Sequence, residues 1–377
     1  MTEIHENGSS GGGGLIKAFF RSPINWFFAF VPITVVLERI GGIPSTVIFF
    51  SAALAIIPIA ALIVASTEQL AARTGDAIGG LLNATFGNAP ELIISVVALK
   101  AGYLSMVRAS LVGAIIANLL LALGLSFLLG GLKNGDQKFN PVATRTYSTM
   151  MFIAAVSLAV PSAFSRVFAP TEAIRQEQFL NIGIAFLLLT VYVLYLVFSL
   201  KTHKSSFESV GGEGEHHEAE WSLPRALVSL IGASVLAAFI SKILVGAAEG
   251  TGKQLGLSEI FIGIIFLAII GGAAESGSAI AVARKNKMDL SIGIALGSSI
   301  QIALFVAPLL VLASYFVAPQ PLELSFNRAE IGVLGIAVLI GSLISGDGQS
   351  NWFKGVQLLT VYSIIALMFY MIPEIVH

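Results

Sequence analysis

The sequence predicts an all-α, polytopic membrane protein of about eleven transmembrane helices: one extra N-terminal helix followed by two inverted five-helix repeats. Three observations carry this expectation. Of the 377 residues, 56% are hydrophobic and only 11% charged, with a mean hydropathy of +0.88; a soluble domain carries roughly 25% charged residues. Apolar stretches long enough to cross a bilayer recur from one end of the chain to the other, too many for a single core. Two of them hold a buried-looking glutamate, Glu91 and Glu275, 184 residues apart and one in each half.

The elements follow in chain order. Residues 1–22 are polar and glycine-rich, with Gly8-Ser9-Ser10-Gly11-Gly12-Gly13-Gly14 and no apolar stretch of a secretory signal, so they read as a disordered tail. Residues 23–43 hold a peripheral helix at about 24–38. A first five-helix repeat occupies 44–202, with apolar spans at 44–70, 76–100, 104–130, 146–162 and 179–200. Residues 203–222 form an acidic linker that includes Glu213, Glu215, His216, His217, Glu218 and Glu220. A second five-helix repeat occupies 223–377, with spans at 224–248, 257–284, 288–317, 329–345 and 352–373.

Orientation follows from Lys and Arg. With the N-terminus inside, the inner loops hold 13 of the 21 basic residues, which makes the acidic linker cytoplasmic. An odd number of helices per repeat then inserts the second repeat upside down relative to the first. The register agrees: at an offset of 184, Gly87 meets Gly271, Ala89 meets Ala273, Glu91 meets Glu275 and Gly113 meets Gly297.

A carboxylate in hydrocarbon is costly and marks a functional site by default. Here each glutamate sits beside residues that weaken a helix, Gly87 and Pro90 at Glu91 and Gly271 and Gly272 before Glu275, and the candidate break backbone runs from Ala84 in the first half and from Gly271 in the second. Backbone carbonyls freed at such breaks are tolerated at membrane depth only where protein buries them or where they line a cavity. Two glutamates, break carbonyls, amides and hydroxyls meet the demand of Ca2+ for six to eight oxygens, and two negative charges balance one divalent ion. Asn88, Asn118, Ser298 and Gln301 are the candidate further ligands; Ser298 and Gln301 are three apart, on one helix face. The bland alternative is a neutral carboxyl serving as a helix–helix contact, which suits one isolated glutamate better than two in matched register. Asn118 suits helix–helix glue as well as it suits a ligand. Burial favours a protonated carboxyl and an adjacent cation favours the ionised one, so the same pair serves proton coupling.

Other chemistry is thinly represented. The chain has no cysteine, which excludes disulfides, iron–sulfur clusters and thiolate zinc sites. A net charge of −1 gives no case for nucleic acid. Histidine occurs only at 5, 203, 216, 217 and 377, outside the apolar spans, which leaves an intramembrane hydrolase without a base. No phosphate-binding Gly-x-x-x-x-Gly-Lys-Ser/Thr stretch is present, so no cofactor is expected and energy comes from an ion gradient. A passive cation channel also explains buried glutamates, but not the inverted repeat with broken helices.

The stretch Gly79-Gly80-Leu81-Leu82-Asn83-Ala84-Thr85-Phe86-Gly87-Asn88-Ala89-Pro90-Glu91 and the stretch from Gly271 to Gln301 resemble the two signatures of the calcium/proton antiporters (CAX) of the calcium/cation exchanger superfamily. The resemblance covers nearly the whole chain after the tail. It implies an eleven-helix fold, Glu91 and Glu275 as shared Ca2+ and H+ sites, and an acidic cytoplasmic segment in which Glu213–Glu220 act as a candidate regulatory element. The ions and the bilayer are then the partners, and a homo-oligomer is compatible with the sequence. A prokaryotic plasma membrane, or a vacuolar membrane in a eukaryote, is the expected location. Two departures stand out: Gly272 replaces the family's usual Asn and Ser276 its usual His. They leave exchange of sodium for calcium, or of another divalent cation, as the alternative.

Overall fold

A computed structural model describes residues 23–74, 76–167, 174–203 and 220–372. The N-terminal tail and most of the acidic linker, including Glu213, Glu215, His216, His217 and Glu218, lie outside the described residues. The chain is a helix bundle with almost no strand, as expected where lipid cannot satisfy backbone groups. Helix α1 is a 3-10 segment, Pro23–Ala29, running into Phe30–Ile40. Then come α2 (Ser45–Thr74), α3 split into α3a (Asp76–Phe86) and α3b (Ala89–Lys100), α4 (Leu104–Asn134), α5 (Pro141–Val167) and α6 (Ile174–Val197, prolonged by Phe198–Thr202). The second half has α7 (Leu223–Leu255), α8 split into α8a (Glu259–Gly271) and α8b (Ala273–Ala283), α9 (Met288–Val317), α10 (Arg328–Ser345) and α11 (Trp352–Tyr370).

Among the described residues, eight helices are long and apolar enough to cross a membrane, or up to nine if α8, bent by 57° at its break, is one span. α1 and α3 are built of shorter pieces. Several helices outrun their apolar spans. α5 covers 141–167 where the apolar run covers 146–162, because hydropathy marks the hydrocarbon and not the helix ends in the headgroup region.

α1 sits at the periphery, packed mainly on α2, where Thr34 Oγ1 and Ser51 Oγ share a buried hydrogen bond of 2.7 Å. α2 and α7 pack along most of their lengths. With lipid as apolar as the core, close approach of small residues does the work of association. The α4–α11 seam shows it: a Cβ on Gly355 would stand 2.6 Å from the Gly124 carbonyl oxygen, and one on Gly124 would stand 3.0 Å from Leu359 Cγ.

Residues 135–140, 284–287 and 346–351, with His203 and Glu220, lie on the inner face, the one that the Lys/Arg bias makes cytoplasmic. There β1 (Gln137–Lys138) and β2 (Gln349–Ser350) pair antiparallel, Gln137 opposite Ser350. The buried Gln137 Nε2 donates to the Ala283 carbonyl (2.9 Å) and to Asn286 Oδ1 (2.9 Å), closing the end of α8b. On the outer face an extended strap, 318–327, is pinned along its length. Leu322 N–H donates to Ser314 Oγ, Leu324 N–H to Asn181 Oδ1 and Phe326 N–H to Ser162 Oγ.

Candidate cation site

Each glutamate is placed by a helix restart. α3b begins at Ala89 with Pro90 in its first turn, and Glu91 is its third residue; α8b begins at Ala273, and Glu275 is its third. Proline fits there because the first N–H groups of a helix have no intrahelical partner to lose. The half-helix N-terminus also carries partial positive charge toward a carboxylate. The preceding half-helices, α3a and α8a, end beside the breaks, and a helix end leaves its last carbonyls without intrahelical partners. Each carboxylate is thereby placed beside a helix break, in the same way in both halves.

The halves interlock through glycine. A Cβ on Gly87 would meet Glu275 Oε1 at 3.4 Å and Gln301 Oε1 at 3.7 Å. A Cβ on Gly271 would meet Glu91 Cγ at 3.0 Å, and one on Gly272 would meet Glu91 Oε1 and Asn118 Oδ1, both at 3.7 Å. Each carboxylate therefore lies against the glycine break of the opposite half. Any larger residue at these breaks would occupy the space the carboxylates use.

The polar residues singled out in the sequence come together. Asn118 Nδ2 donates to Ser298 Oγ (3.0 Å), Ser298 Oγ donates to Asn88 Oδ1 (3.0 Å), and Asn88 Nδ2 donates to Gln301 Oε1 (2.5 Å). This relay crosses between the halves at every step. Asn118, Ser298 and Asn88 are buried, and Gln301 is half-buried. By contrast, Glu91 Oε1, Glu91 Oε2 and Glu275 Oε2 are buried without a hydrogen-bond partner. Unpartnered buried carboxylate oxygens are rare and point to a missing ligand or proton. Ala84 lies within α3a, one turn before the break, while Gly87 and Asn88 form the turn itself; in the second half the helix continues through Gly271 and turns at Gly272. Glu220, the one described member of the acidic segment, is exposed on the inner face, away from the site.

Sequence reasoning missed one feature. α4 carries a π-helical turn at Ala117–Ala122 and α9 one at Ile302–Val306, at matching repeat positions beside Asn118 and Gln301. A π-turn inserts an extra residue into the helix and is frequent at functional sites. It has no periodicity signature of its own; the only signal was the polar residue at its edge.

Protein covers the two sides of the site unequally. Toward the inner face, Asn83, Gly277 and Ser278 are uncovered by protein, and Glu275, Gln301 and Gly297 are half-buried. Toward the outer face, Glu91 (8% exposed) borders a narrow crevice of only about 10 Å³, walled by Ser95, Ser110, Leu111, Leu267 and Ile302.

The comparisons with known proteins agree in kind. The family model described as sodium/calcium exchanger protein matches residues 44–201 and 225–371. The chain is 43% identical over 352 residues to "Ca(2+)/H(+) antiporter ChaA" of Bacillus subtilis (strain 168), covering 92% of this chain and 99% of that one. It is 42% identical over 346 residues to "Ca(2+)/H(+) antiporter" of Aphanothece halophytica, covering 87% of this chain and 92% of that one. Among solved structures, native YfkE superposes with a TM-score of 0.79 at 40% identity, covering 92% of this chain and 100% of that one.

Proposed function

The chain belongs to the sodium/calcium exchanger protein family, and from that membership we propose that it exchanges Ca2+ for H+ across a membrane, by alternating access at a site built by Glu91 and Glu275. It is an integral, multi-pass membrane protein and a transporter rather than an enzyme. The observation that carries the two-glutamate reading is the set of three buried carboxylate oxygens without partners, drawn from both halves of the chain.

A divalent cation would take these oxygens, with Asn118 Oδ1 beside Glu91 Oε1 and the carbonyls of the two breaks. Asn88, Ser298 and Gln301 hold the ligand geometry, and each amide oxygen keeps a second lone pair for the ion. Among the described residues no third acidic or histidine side chain joins the cluster, so neutral oxygens complete the shell. A carboxyl group removed from water holds its proton, and a divalent cation displaces it, because ligands must be deprotonated. Ca2+ and protons then occupy the same atoms in turn, which is the condition for coupled antiport. Residues 44–202 and 223–377 act as the two repeats, and the linker 203–222 joins them on the cytoplasmic side. Glu213–Glu220 remain a candidate regulatory segment.

The test is ⁴⁵Ca2+ uptake into liposomes holding the purified protein. Uptake driven by an imposed pH gradient and abolished by a protonophore is expected. Uptake driven only by a sodium gradient would move the assignment to sodium/calcium exchange, and uptake indifferent to both gradients would make the protein a channel. Within the site, Ser298→Ala breaks the relay at its centre and leaves Asn88 and Asn118 each short of a buried partner. At about 1–2 kcal/mol for such a loss, the half-saturating Ca2+ concentration is expected to rise about 5- to 30-fold. An unchanged value in the same uptake assay would remove Ser298 from the site.

A further inference from the structure

The two repeats carry glycine at the same positions, Gly113 with Gly297 and Gly79 with Gly263, yet only one member of each pair is used in the same way. Gly113 of α4 and Gly263 of α8a form a tight seam on the outer side of the site. A Cβ on Gly113 would stand 2.5 Å from Ile264 Cα and closer still to its carbonyl oxygen; one on Gly263 would stand 2.6 Å from the Met106 carbonyl oxygen and 2.8 Å from Ala109 Cβ. This seam borders the narrow crevice beside Glu91, whose wall includes Ser110 and Leu111 of α4 and Leu267 of α8a.

The inner counterpart is apart. Gly297 is half-buried with nothing within 4 Å of an added Cβ, and Gly79 instead abuts Ala71 of α2, whose carbonyl oxygen lies 2.5 Å from the Cβ position. α3a packs on α2 and the last turn of α6. A glycine inside a helix costs roughly 1 kcal/mol relative to alanine, and nothing in this conformation repays that cost at Gly297.

We propose that Gly297 is a gating residue: in the outward-open conformation α9 closes on α3a at Gly297 as α4 closes on α8a here, with Gly80, the repeat counterpart of Ile264, against it, while the Gly113 seam opens. Backbone-to-backbone closure at this point requires a residue without a side chain. The proposal rests on reading the chain as an alternating-access transporter, but it does not depend on which ions are coupled.

Gly297→Leu tests it, because a Cβ added there meets nothing within 4 Å in the present conformation and would meet backbone in the mirrored one. Ca2+ binding by the solubilised variant is expected to stay within about twofold of the parent, while exchange in proteoliposomes falls about a hundredfold, as for an equilibrium held near 99:1 on one side. Exchange within about twofold of the parent would overturn the proposal. A second arm reads conformation directly and is insensitive to ion identity. The natural chain has no cysteine, so Ser95→Cys, in the wall of the outer crevice beside Glu91, adds the only thiol. A membrane-impermeant maleimide added from the outer side is expected to label it during turnover in the parent background and not once Gly297→Leu is added. Equal labelling in the two backgrounds would overturn the proposal, and labelling that depends on Gly297 without proton coupling would overturn only the functional reading above.

Discussion

Glu91→Gln is expected to abolish measurable exchange while leaving the protein folded. The substitution keeps volume and shape and removes only charge. Glu91 is 8% exposed and both its carboxylate oxygens are unpartnered, so no existing hydrogen bond is lost and the bundle has no reason to unfold. What is lost is the charge balance of a buried divalent ion. Removing one partner of a buried charge set costs roughly 3–5 kcal/mol, about 10²- to 10⁴-fold in Ca2+ affinity, and the residue no longer carries a proton back. Glu275→Gln is expected to act in the same direction with a smaller effect on affinity, because Glu275 is half-buried where Glu91 is buried, and a less buried charge is more strongly screened. Proteoliposome flux and isothermal titration on size-checked variants would measure both. Exchange near the parental rate by either variant would sink the two-glutamate site.

Gly113→Ala and Gly297→Ala are expected to shift stability in opposite directions, although they are the same change at the same repeat position. At Gly113 the added methyl group meets backbone atoms of Ile264 at 2.5 Å and less. Backbone within a packed helix cannot swing aside, so overpacking costs about 1–3 kcal/mol, which outweighs the roughly 1 kcal/mol gained in helix propensity. At Gly297 the methyl group meets nothing within 4 Å, and the propensity gain stands alone. In thermal unfolding of detergent-solubilised protein, Gly113→Ala should lower the midpoint and Gly297→Ala raise it. Shifts of the same sign would show that the two helix pairs are not in opposite conformations.

Much of the site was legible in the sequence because polar atoms are conspicuous in an apolar chain. Glu91, Asn88, Asn118, Glu275, Ser298 and Gln301 stood out on hydropathy alone, and the structure brings all six together. The pairing among them was not legible. That Ser298 donates a hydrogen bond to Asn88 while accepting one from Asn118 depends on where α9 crosses α3b and α4, which no local pattern encodes. The π-turns escaped for the same reason: Ala117–Ala122 reads as ordinary apolar helix. Helix existence was clear but helix ends were not, since Pro141 to Arg145 lack the hydropathy that marked the rest of α5. The strap 318–327 had no periodic signal at all, because its order comes from Ser162, Asn181 and Ser314 on three separate helices. The contrast between Gly113 and Gly297 was invisible in principle: equal repeat positions predict equal roles, and only a conformation can break the tie.

The relay between Asn88 and Gln301 spans 213 residues of chain. At ribosomal rates of about 5–20 residues per second, Asn88 and Glu91 emerge about 10–40 seconds before Gln301 exists. For that interval the first half has a broken helix, an acidic side chain and an amide at membrane depth, with none of the second-half partners that later receive them. Half a site is thus a liability for the inserting chain, not a partial product, until α8 and α9 arrive. The architecture that makes the two halves interdependent during transport makes them interdependent at birth.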